Sequence, residues 1–226
     1  MEDRERQIEE SRRRRFGARV PSFIRNFGAA RQAKAANDAL RRVLAHIGFK
    51  PGWHVIEFGA GDGAALQTFL DLGSPPDTLS GVEIQEGEAA NGRARRGVDI
   101  RHCDATKEVP FPAATFDLAF VSTTFYEISD DEAQAMAVQM LRVVKPGSYI
   151  VVRDWTRERS GARPVTRGFV ERCFGLPVMH VERGAMHQIK GRLIGGIAPA
   201  LYDLAEPHFD GGMKLYVLQA TPTAVM

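Results

Sequence analysis

The sequence predicts an α/β fold, a doubly wound sheet whose strands run mostly parallel. Short apolar runs of strand length occupy residues 55–58, 79–84, 98–102, 116–121 and 149–152. Helical patterns fill three of the four intervals, near residues 66–70, 86–96 and 129–144. A glycine cluster follows the first run directly and precedes the first of these helices. Strands that alternate with helices in this way form βαβ units and a parallel sheet.

The segments on either side of this pattern are less regular. Residues 1 to about 20 are polar and rich in arginine, and a helical pattern leads from there to Ile47. We therefore expect an N-terminal helical arm over residues 1–48 and a main domain over residues 49–226. Near the C-terminus we expect a helix around 164–174 and strands near 178–181 and 213–218. The glycine-rich stretch 185–206 is predicted to be a lid that covers the site together with the arm before about residue 30.

Bulk composition is ordinary for a globular protein. The chain has 226 residues, 44% hydrophobic and 26% charged, with a formal net charge of +2. This charge balance makes nucleic acid an unlikely partner. Two cysteines form no disulfide framework, and no apolar run approaches the roughly 20 residues that a membrane span needs. We therefore expect a cytoplasmic protein without a membrane partner, and these features leave its oligomeric state open.

The glycine cluster carries the most chemical information. Gly59, Gly61 and Gly63 stand at every second position after the first strand. Glycine allows positive φ angles and a close approach of the backbone to a ligand. Residues 59–64 also fit the dinucleotide fingerprint, in which a pyrophosphate lies on the loop and the helix N-terminus. Glu57 and Asp62 flank the loop with negative charge, which opposes a pyrophosphate and favours a cofactor that carries a sulfonium and an ammonium group.

Five motifs in the correct order resemble those of the class I S-adenosylmethionine-dependent methyltransferases. They lie at residues 57–63, 81–84, 103–105, 116–120 and 141–147, so the resemblance covers roughly residues 50–154. It implies a Rossmann-like, seven-stranded, mostly parallel sheet with a terminal antiparallel hairpin formed by the strands near 178–181 and 213–218. Two positions depart from the family pattern. Ser148 replaces a second glycine, and residues 121–125 replace the D/N-P-P-Y/F motif of adenine N6 and glutamine N5 methylases.

The resemblance also implies the residues that bind S-adenosyl-L-methionine. Glu83 would accept the ribose hydroxyls, a bidentate task suited to a carboxylate, and Ile84 would pack on the adenine. Asp104 would receive the adenine amino group. The predicted cofactor-binding residues are Glu57, Gly59, Gly61, Gly63, Glu83, Ile84, Asp104, Ala105 and Ser122. No metal is expected, since no pair of aspartates follows the fourth strand.

Methyl transfer from a sulfonium is an in-line displacement that depends mainly on alignment and proximity. A base is needed only if the acceptor still holds a proton at the moment of attack. We expect the acceptor beyond the carboxyl ends of the fourth and fifth strands. Tyr126 and Asp154 are the predicted catalytic residues, with the task of orienting the acceptor.

The predicted activity is methyl transfer to an oxygen or nitrogen of a small-molecule acceptor. An RNA or protein methyltransferase is the alternative, supported by the arginine run at residues 12–15. An NAD-dependent oxidoreductase is more distant, because the chain lacks a Tyr-x-x-x-Lys pair. A non-enzymatic binding module on the same fold is a further alternative, which the intact cofactor motifs disfavour.

Overall fold

The structure is a computed structural model that describes residues 6, 22–156, 163–185, 200 and 212–221. The described helices are α1 (Ser22–His46), α2 (Leu66–Asp71), α3 (Glu86–Arg96), α4 (Asp130–Val143) and α5 (Arg167–Phe174), with a 3₁₀ turn at Pro76–Thr78. The strands are β1 (Val55–Phe58), β2 (Leu79–Glu83), β3 (Asp99–His102), β4 (Phe116–Ser122), β5 (Val144–Trp155), β6 (His180–Arg183) and β7 (Met213–Gln219).

All seven strands belong to one sheet, in the order β3-β2-β1-β4-β5-β7-β6. The first five pair in parallel, whereas β7 runs antiparallel to both β5 and β6. This confirms the predicted fold class, including the antiparallel C-terminal strands. The strand order reverses between β1 and β4, and ligands of open α/β sheets bind beyond the carboxyl ends of the strands at such a switch point.

Two apolar layers cover the faces of the sheet. Side chains of α4 and α5 pack with Ile56 and Phe58 on one face. Side chains of α1, α2 and α3 pack with Val55 and Leu79 on the other. Leu40 and Val43 of α1 are fully buried, so the second half of this helix is part of the core. The domain division at residue 48 stays a prediction.

Local sequence signals explain where several elements begin and end. The predicted capping box of α4 is present, because Ser129 Oγ accepts the Glu132 N–H at 3.3 Å and Glu132 Oε2 accepts the Ser129 N–H at 2.8 Å. Helices α3 and α5 end at glycines with left-handed φ angles of +67° and +63°. These helix ends fix the directions in which the chain returns to the sheet.

Strand β5 is longer than the predicted 149–152. It begins directly after α4, where Val144 pairs with Phe116, and the register shifts before Leu118 pairs with Tyr149. Gly147, at φ +81°, donates its N–H to the carbonyl of Ala220 at 2.6 Å instead of to β4. The turn that ends α4 is therefore part of β5, where it forms an irregularity in the strand pairing. The apolar pattern of the sequence does not reveal it.

The predicted lid and arm lie almost wholly outside the described residues. Only Ala185 and Ala200 of residues 185–206 are described, and Arg6 is the one described position before Ser22. Their role as a cover stays a prediction. Across the part of the chain that the structure describes, no helix combines the length and apolarity required to cross a membrane.

Candidate active site

The glycine loop between β1 and α2 uses backbone conformations that favour glycine. Gly59 has φ +68° and Gly61 has φ +55°. A Cβ atom at Gly59 would come within 2.5 Å of Thr124 Oγ1, whereas a Cβ at Gly61 would meet nothing within 4 Å. The loop is thus packed against Thr124, in the segment after β4, at its first glycine and is open at its second. An open, left-handed glycine allows a ligand to approach the backbone.

Glu83, at the end of β2, holds this loop in place. Its Oε2 accepts the Gly61 N–H at 2.8 Å, and its Oε1 accepts the Gln85 N–H at 2.9 Å. Each carboxylate oxygen has lone pairs for a second hydrogen bond. Glu83 can therefore hold the loop and accept two hydroxyl groups of a ligand at the same time.

A cleft of about 510 Å³ opens beside this loop, and we call it the glycine-loop cleft. Five of the residues expected to bind the cofactor line it, namely Gly59, Glu83, Ile84, Asp104 and Ala105. Seven residues not expected to bind it also line it, namely Thr124, Glu127, Ile128, Met136, Val82, Cys103 and Thr106. The first three follow the carboxyl end of β4, so their place in the topology is a signal that could have identified them. Met136 lies inside α4, where its apolar side chain indicates only core.

The far wall of the glycine-loop cleft is fixed by hydrogen bonds at the ends of β2 and β3. Asp104 Oδ1 accepts two hydrogen bonds from Thr106, one from its N–H at 3.0 Å and one from the Thr106 hydroxyl at 2.7 Å. His102 Nε2 lies 3.0 Å from the Ile84 carbonyl, and its Nδ1 lies 3.1 Å from Glu86 Oε2. These contacts set the positions of Ile84 and Asp104, the two residues expected at the adenine.

Glu57 lies beneath the loop as a buried carboxyl group. It is 2% exposed, and its Oε2 accepts no hydrogen bond from the described residues. Burial raises the pKa of Glu57 to about 8, while the nearby Arg153 guanidinium opposes the rise. A buried acceptor without a donor is costly unless a ligand supplies the donor. The group that fits here is a cation with N–H donors, such as the ammonium of S-adenosylmethionine.

The structure corrects the role expected of Asp62. Its carboxylate lies 3.5 Å from Arg96 Nη2 and 3.8 Å from Arg95 Nη1, and Arg96 Nε donates to its backbone carbonyl at 2.8 Å. Two arginines thus compensate the charge of Asp62. The negative charge beside the loop comes from Glu83 instead, while Glu57 is mostly protonated at pH 7 in the free protein.

A second cleft, of about 650 Å³, lies between α1 and the carboxyl ends of β4 and β5, and we call it the Arg153 cleft. Arg153 Nε donates to Ser122 Oγ at 2.8 Å, and Nη1 donates to Asn37 Oδ1 at 3.2 Å. Ser122, which was expected to bind the cofactor, lies in this cleft and not in the glycine-loop cleft. The arginine that directly follows the apolar run 149–152 was the sequence signal for this site, and it was missed.

The two predicted catalytic residues line neither cleft. Asp154 is fully buried, and its carboxylate accepts the N–H of Tyr126 at 3.2 Å and that of Trp155 at 2.8 Å. The Tyr126 hydroxyl donates to Glu127 Oε1 at 2.8 Å. These contacts tie the loop after β4 to the end of β5. The structure thus gives both side chains positioning contacts, and their effect on the acceptor stays a prediction.

Thr123, between the two clefts, has an unusual backbone. Its φ is +53°, and its N–H donates to the Arg153 carbonyl at 2.8 Å. A β-branched residue in this conformation is rare, and such strain concentrates at functional sites. Within the described ranges no group of three or more His, Cys, Asp or Glu side chains could hold a metal ion.

Comparison with known proteins agrees with this geometry. The family model described as a methyltransferase domain matches residues 55–147. A ubiquinone/menaquinone biosynthesis C-methyltransferase from Cupriavidus taiwanensis is 32% identical over 119 residues, which are 50% of this chain and 48% of that protein. The chain therefore spans about half the length of the curated relatives that it matches.

Two solved structures show the same fold. A SAM-dependent methyltransferase from Aquifex aeolicus has a TM-score of 0.56 at 19% identity, covering 80% of this chain and 89% of that one. Geranyl diphosphate C-methyltransferase from Streptomyces coelicolor, in complex with Mg²⁺, geranyl diphosphate and S-adenosyl-L-homocysteine, has a TM-score of 0.63 at 12% identity, covering 92% and 86%.

These findings decide between the two cofactors that the glycine loop allows. The matched family and the similar structures are methyltransferases, so the interpretation as an NAD-dependent oxidoreductase is wrong. The unpaired acceptor of Glu57 and the Glu83 carboxylate beside the loop agree with a cationic cofactor and not with a pyrophosphate. Residues 55–147 thus match a methyltransferase domain, and the comparisons support S-adenosyl-L-methionine as the cofactor.

Proposed function

We propose that this protein transfers the methyl group of S-adenosylmethionine to a small-molecule acceptor. The single observation that supports this most is the buried Glu57 carboxyl beneath the open Gly61, with Glu83 at the neighbouring strand end. Glu57 would hold the ammonium group, Glu83 the ribose hydroxyls, and Ile84 and Asp104 the adenine. When bound, the cofactor supplies a methyl group that is already activated by its sulfonium.

The Arg153 cleft is the proposed acceptor site. It lies beyond the ends of β4 and β5, where the methyl group of a cofactor in the neighbouring glycine-loop cleft would be presented. The arginine run that supports an RNA or protein acceptor lies outside the described residues.

An oxygen or nitrogen is the first candidate for the methylated atom, as the sequence predicts. Carbon is the second candidate, because the curated relatives are C-methyltransferases. For either atom, the described residues would work by holding the acceptor in line with the methyl group. None of the described residues that line the Arg153 cleft is a carboxylate or a histidine, so among them the acceptor meets no general base.

Methyl transfer can be measured as S-adenosylhomocysteine formed with a panel of small phenols, enols, amines and carboxylic acids. Methyl-¹³C cofactor and NMR of the product identify the methylated atom. Glu83→Ala should weaken the binding of S-adenosylhomocysteine by about 1–3 kcal/mol, the scale of hydrogen bonds to a charged group. Glu108→Ala, an exposed position after β3, is the matched control. Unchanged affinity in Glu83→Ala would remove Glu83 from the ribose site.

A further inference from the structure

The Arg153 cleft holds a positive charge with hydrogen-bonding capacity to spare. Arg153 is 6% exposed and is the only charged side chain among the described residues that line the cleft. A guanidinium carries five N–H donors. Those on Nε and Nη1 are used by Ser122 Oγ, by the Ala36 carbonyl at 3.4 Å and by Asn37 Oδ1. No described residue accepts from Nη2.

A second unused donor belongs to a residue that lines the same cleft. Trp155 is 8% exposed, lines the cleft with Arg153, and has a buried indole Nε1 without an acceptor among the described residues. An indole N–H can only donate. Two buried groups at the end of one strand therefore offer donors to a ligand that accepts, and leaving either one unpaired costs free energy.

The carboxyl groups near Arg153 do not use up its charge. Within the described ranges no carboxylate lies within 4.0 Å of the guanidinium. Burial lowers the pKa of Arg153 to about 10, so the group is charged at neutral pH. Burial raises the pKa of both Glu57 and Asp154. A buried charge without a partner is unfavourable unless a counter-charge binds.

We propose that Arg153 and Trp155 form an oxyanion-binding site and that the acceptor enters the cleft with an anionic oxygen, a carboxylate or a phenolate, held by these two donors. This inference rests on the proposed function and names the substrate class of that site. An acceptor that binds as an anion is either already deprotonated at the attacking oxygen, or carries a charged group whose binding fixes the orientation of the molecule. This agrees with the lack of a general base among the described residues of the cleft.

The carboxylate of the cofactor itself is the other source of the same chemistry. S-adenosylhomocysteine carries that carboxylate, whereas 5′-methylthioadenosine lacks the whole amino-acid portion. The position of the cleft beyond β4 and β5, apart from Gly59, Ile84 and Asp104, favours the acceptor. Comparing the two nucleosides in Arg153 variants separates the sources.

The test uses the full chain saturated with S-adenosylhomocysteine and calorimetric titration with benzoate, phosphate and acetate, with neutral benzamide as the shape-matched reference. Wild type should bind at least one of these anions about tenfold or more tightly than benzamide. Arg153→Met should remove this preference, Arg153→Lys should keep part of it, and Trp155→Phe should reduce it. Arg172→Met, an exposed position on α5, should leave it unchanged.

Three outcomes would overturn the proposal. The first is that wild type prefers none of the anions to benzamide, and the second is that the preference survives in Arg153→Met. The third is that Arg153→Met lowers the affinity for S-adenosylhomocysteine but not for 5′-methylthioadenosine. That result would mean that Arg153 binds the carboxylate of the cofactor and not the acceptor. Circular dichroism and melting temperature establish that each variant is folded, and Arg153→Lys carries the test if the methionine variant is not. Failure of wild type to bind S-adenosylhomocysteine at all would instead refute the proposed function.

Discussion

Glu57 and Arg153 are two buried ionisable residues at the strand ends, and each has unused hydrogen-bonding capacity toward a ligand of opposite charge. Glu57 has an oxygen without a donor, and Arg153 has a nitrogen without an acceptor among the described residues. Their mutual attraction lowers the cost of burying each. This pair therefore suits a site that binds a cation on one side and an anion on the other.

Binding of S-adenosylhomocysteine should release a proton from Glu57. At pH 7 the free protein holds this carboxyl mostly protonated, because burial raises the pKa of Glu57 to about 8. The ammonium of the ligand favours the carboxylate, so affinity should rise from pH 6 toward pH 8, by up to about tenfold per pH unit for one proton. Calorimetry in two buffers of different ionisation enthalpy counts the proton.

Glu57→Gln should abolish this proton release and lower the affinity for S-adenosylhomocysteine, and Glu108→Gln should change neither. Binding to wild type without any buffer-dependent enthalpy would contradict the assignment of Glu57 as the partner of the ammonium group.

Sequence reasoning at this scale succeeded where a residue belongs to a motif with fixed spacing. Glu83, Ile84 and Asp104 follow strand ends at the family spacing, and all three line the glycine-loop cleft. It missed Asn37 and Arg153, which come together across more than 110 positions of the chain. A polar residue on a helix usually faces solvent, and only the packing of α1 against β5 reveals that Asn37 does not.

At the scale of elements, substitutions at glycine can distinguish two effects in the glycine loop. One is the loss of stability from backbone strain, and the other is the loss of ligand binding from a blocked approach. Gly61→Val should keep the protein folded and abolish binding of S-adenosylhomocysteine, because the added side chain meets open space in the free protein but occupies the approach to the backbone. The left-handed φ should lower stability by about 1–2 kcal/mol.

The matched control is Gly97→Val at the end of α3, which has φ +67° and likewise nothing within 4 Å of the added Cβ. It should lose a similar amount of stability in urea unfolding and bind the ligand normally. Equal loss of binding in the two variants would show that strain, and not the approach of a ligand, requires Gly61.

The loop after β4 depends on Asp154. Asp154→Ala should lower the free energy of unfolding by about 2–4 kcal/mol, since it leaves the buried N–H groups of Tyr126 and Trp155 without an acceptor. Asp154→Asn and Tyr126→Phe should each lower turnover modestly and leave cofactor affinity nearly intact. Urea unfolding and turnover against pH provide the readouts.

A loss of turnover beyond about a thousandfold in Asp154→Asn, together with the loss of an ionisation from the pH profile, would identify a general base instead. Normal stability in Asp154→Ala would show that the two backbone contacts do not hold this loop.

Element boundaries followed the sequence where a cap or a glycine marks the end, as in α3 and α4. They did not follow it in β5, whose first residues contain a lysine-proline-glycine turn, or in α1, which extends back to Ser22. Apolar periodicity marks only the part of an element that packs on the core. A strand that continues through an irregularity therefore exceeds its predicted bounds.

For the molecule as a whole, the cofactor-free protein should lose stability as pH rises from about 5 to 8. Burial raises the folded-state pKa of Glu57 to about 8 and that of Asp154 to about 7, above their ordinary values of 4.5 and 3.8. The contribution of these two groups to stability is complete below their pKa values in the unfolded chain. It is lost as pH rises through their pKa values in the folded protein. Where pH lies between the unfolded-state and folded-state pKa values of both groups, each group should lower the free energy of unfolding by roughly 1 kcal/mol per pH unit.

Urea unfolding across this pH range measures the effect. Glu57→Gln and Asp154→Asn should each flatten the decline, and Glu108→Gln should leave it unchanged. A wild-type stability that is constant or rises from pH 5 to pH 8 would contradict the burial of these two carboxyl groups.

We propose that the switch point of the sheet binds the methyl-donor cofactor between the glycine loop and the ends of β2 and β3. Calorimetric titration of the wild-type protein with S-adenosylhomocysteine and, separately, with NAD tests it most directly. The structure predicts one bound S-adenosylhomocysteine per chain and no binding of NAD, because the Glu83 carboxylate beside the loop opposes a pyrophosphate. Tight binding of NAD without binding of S-adenosylhomocysteine would contradict the claim.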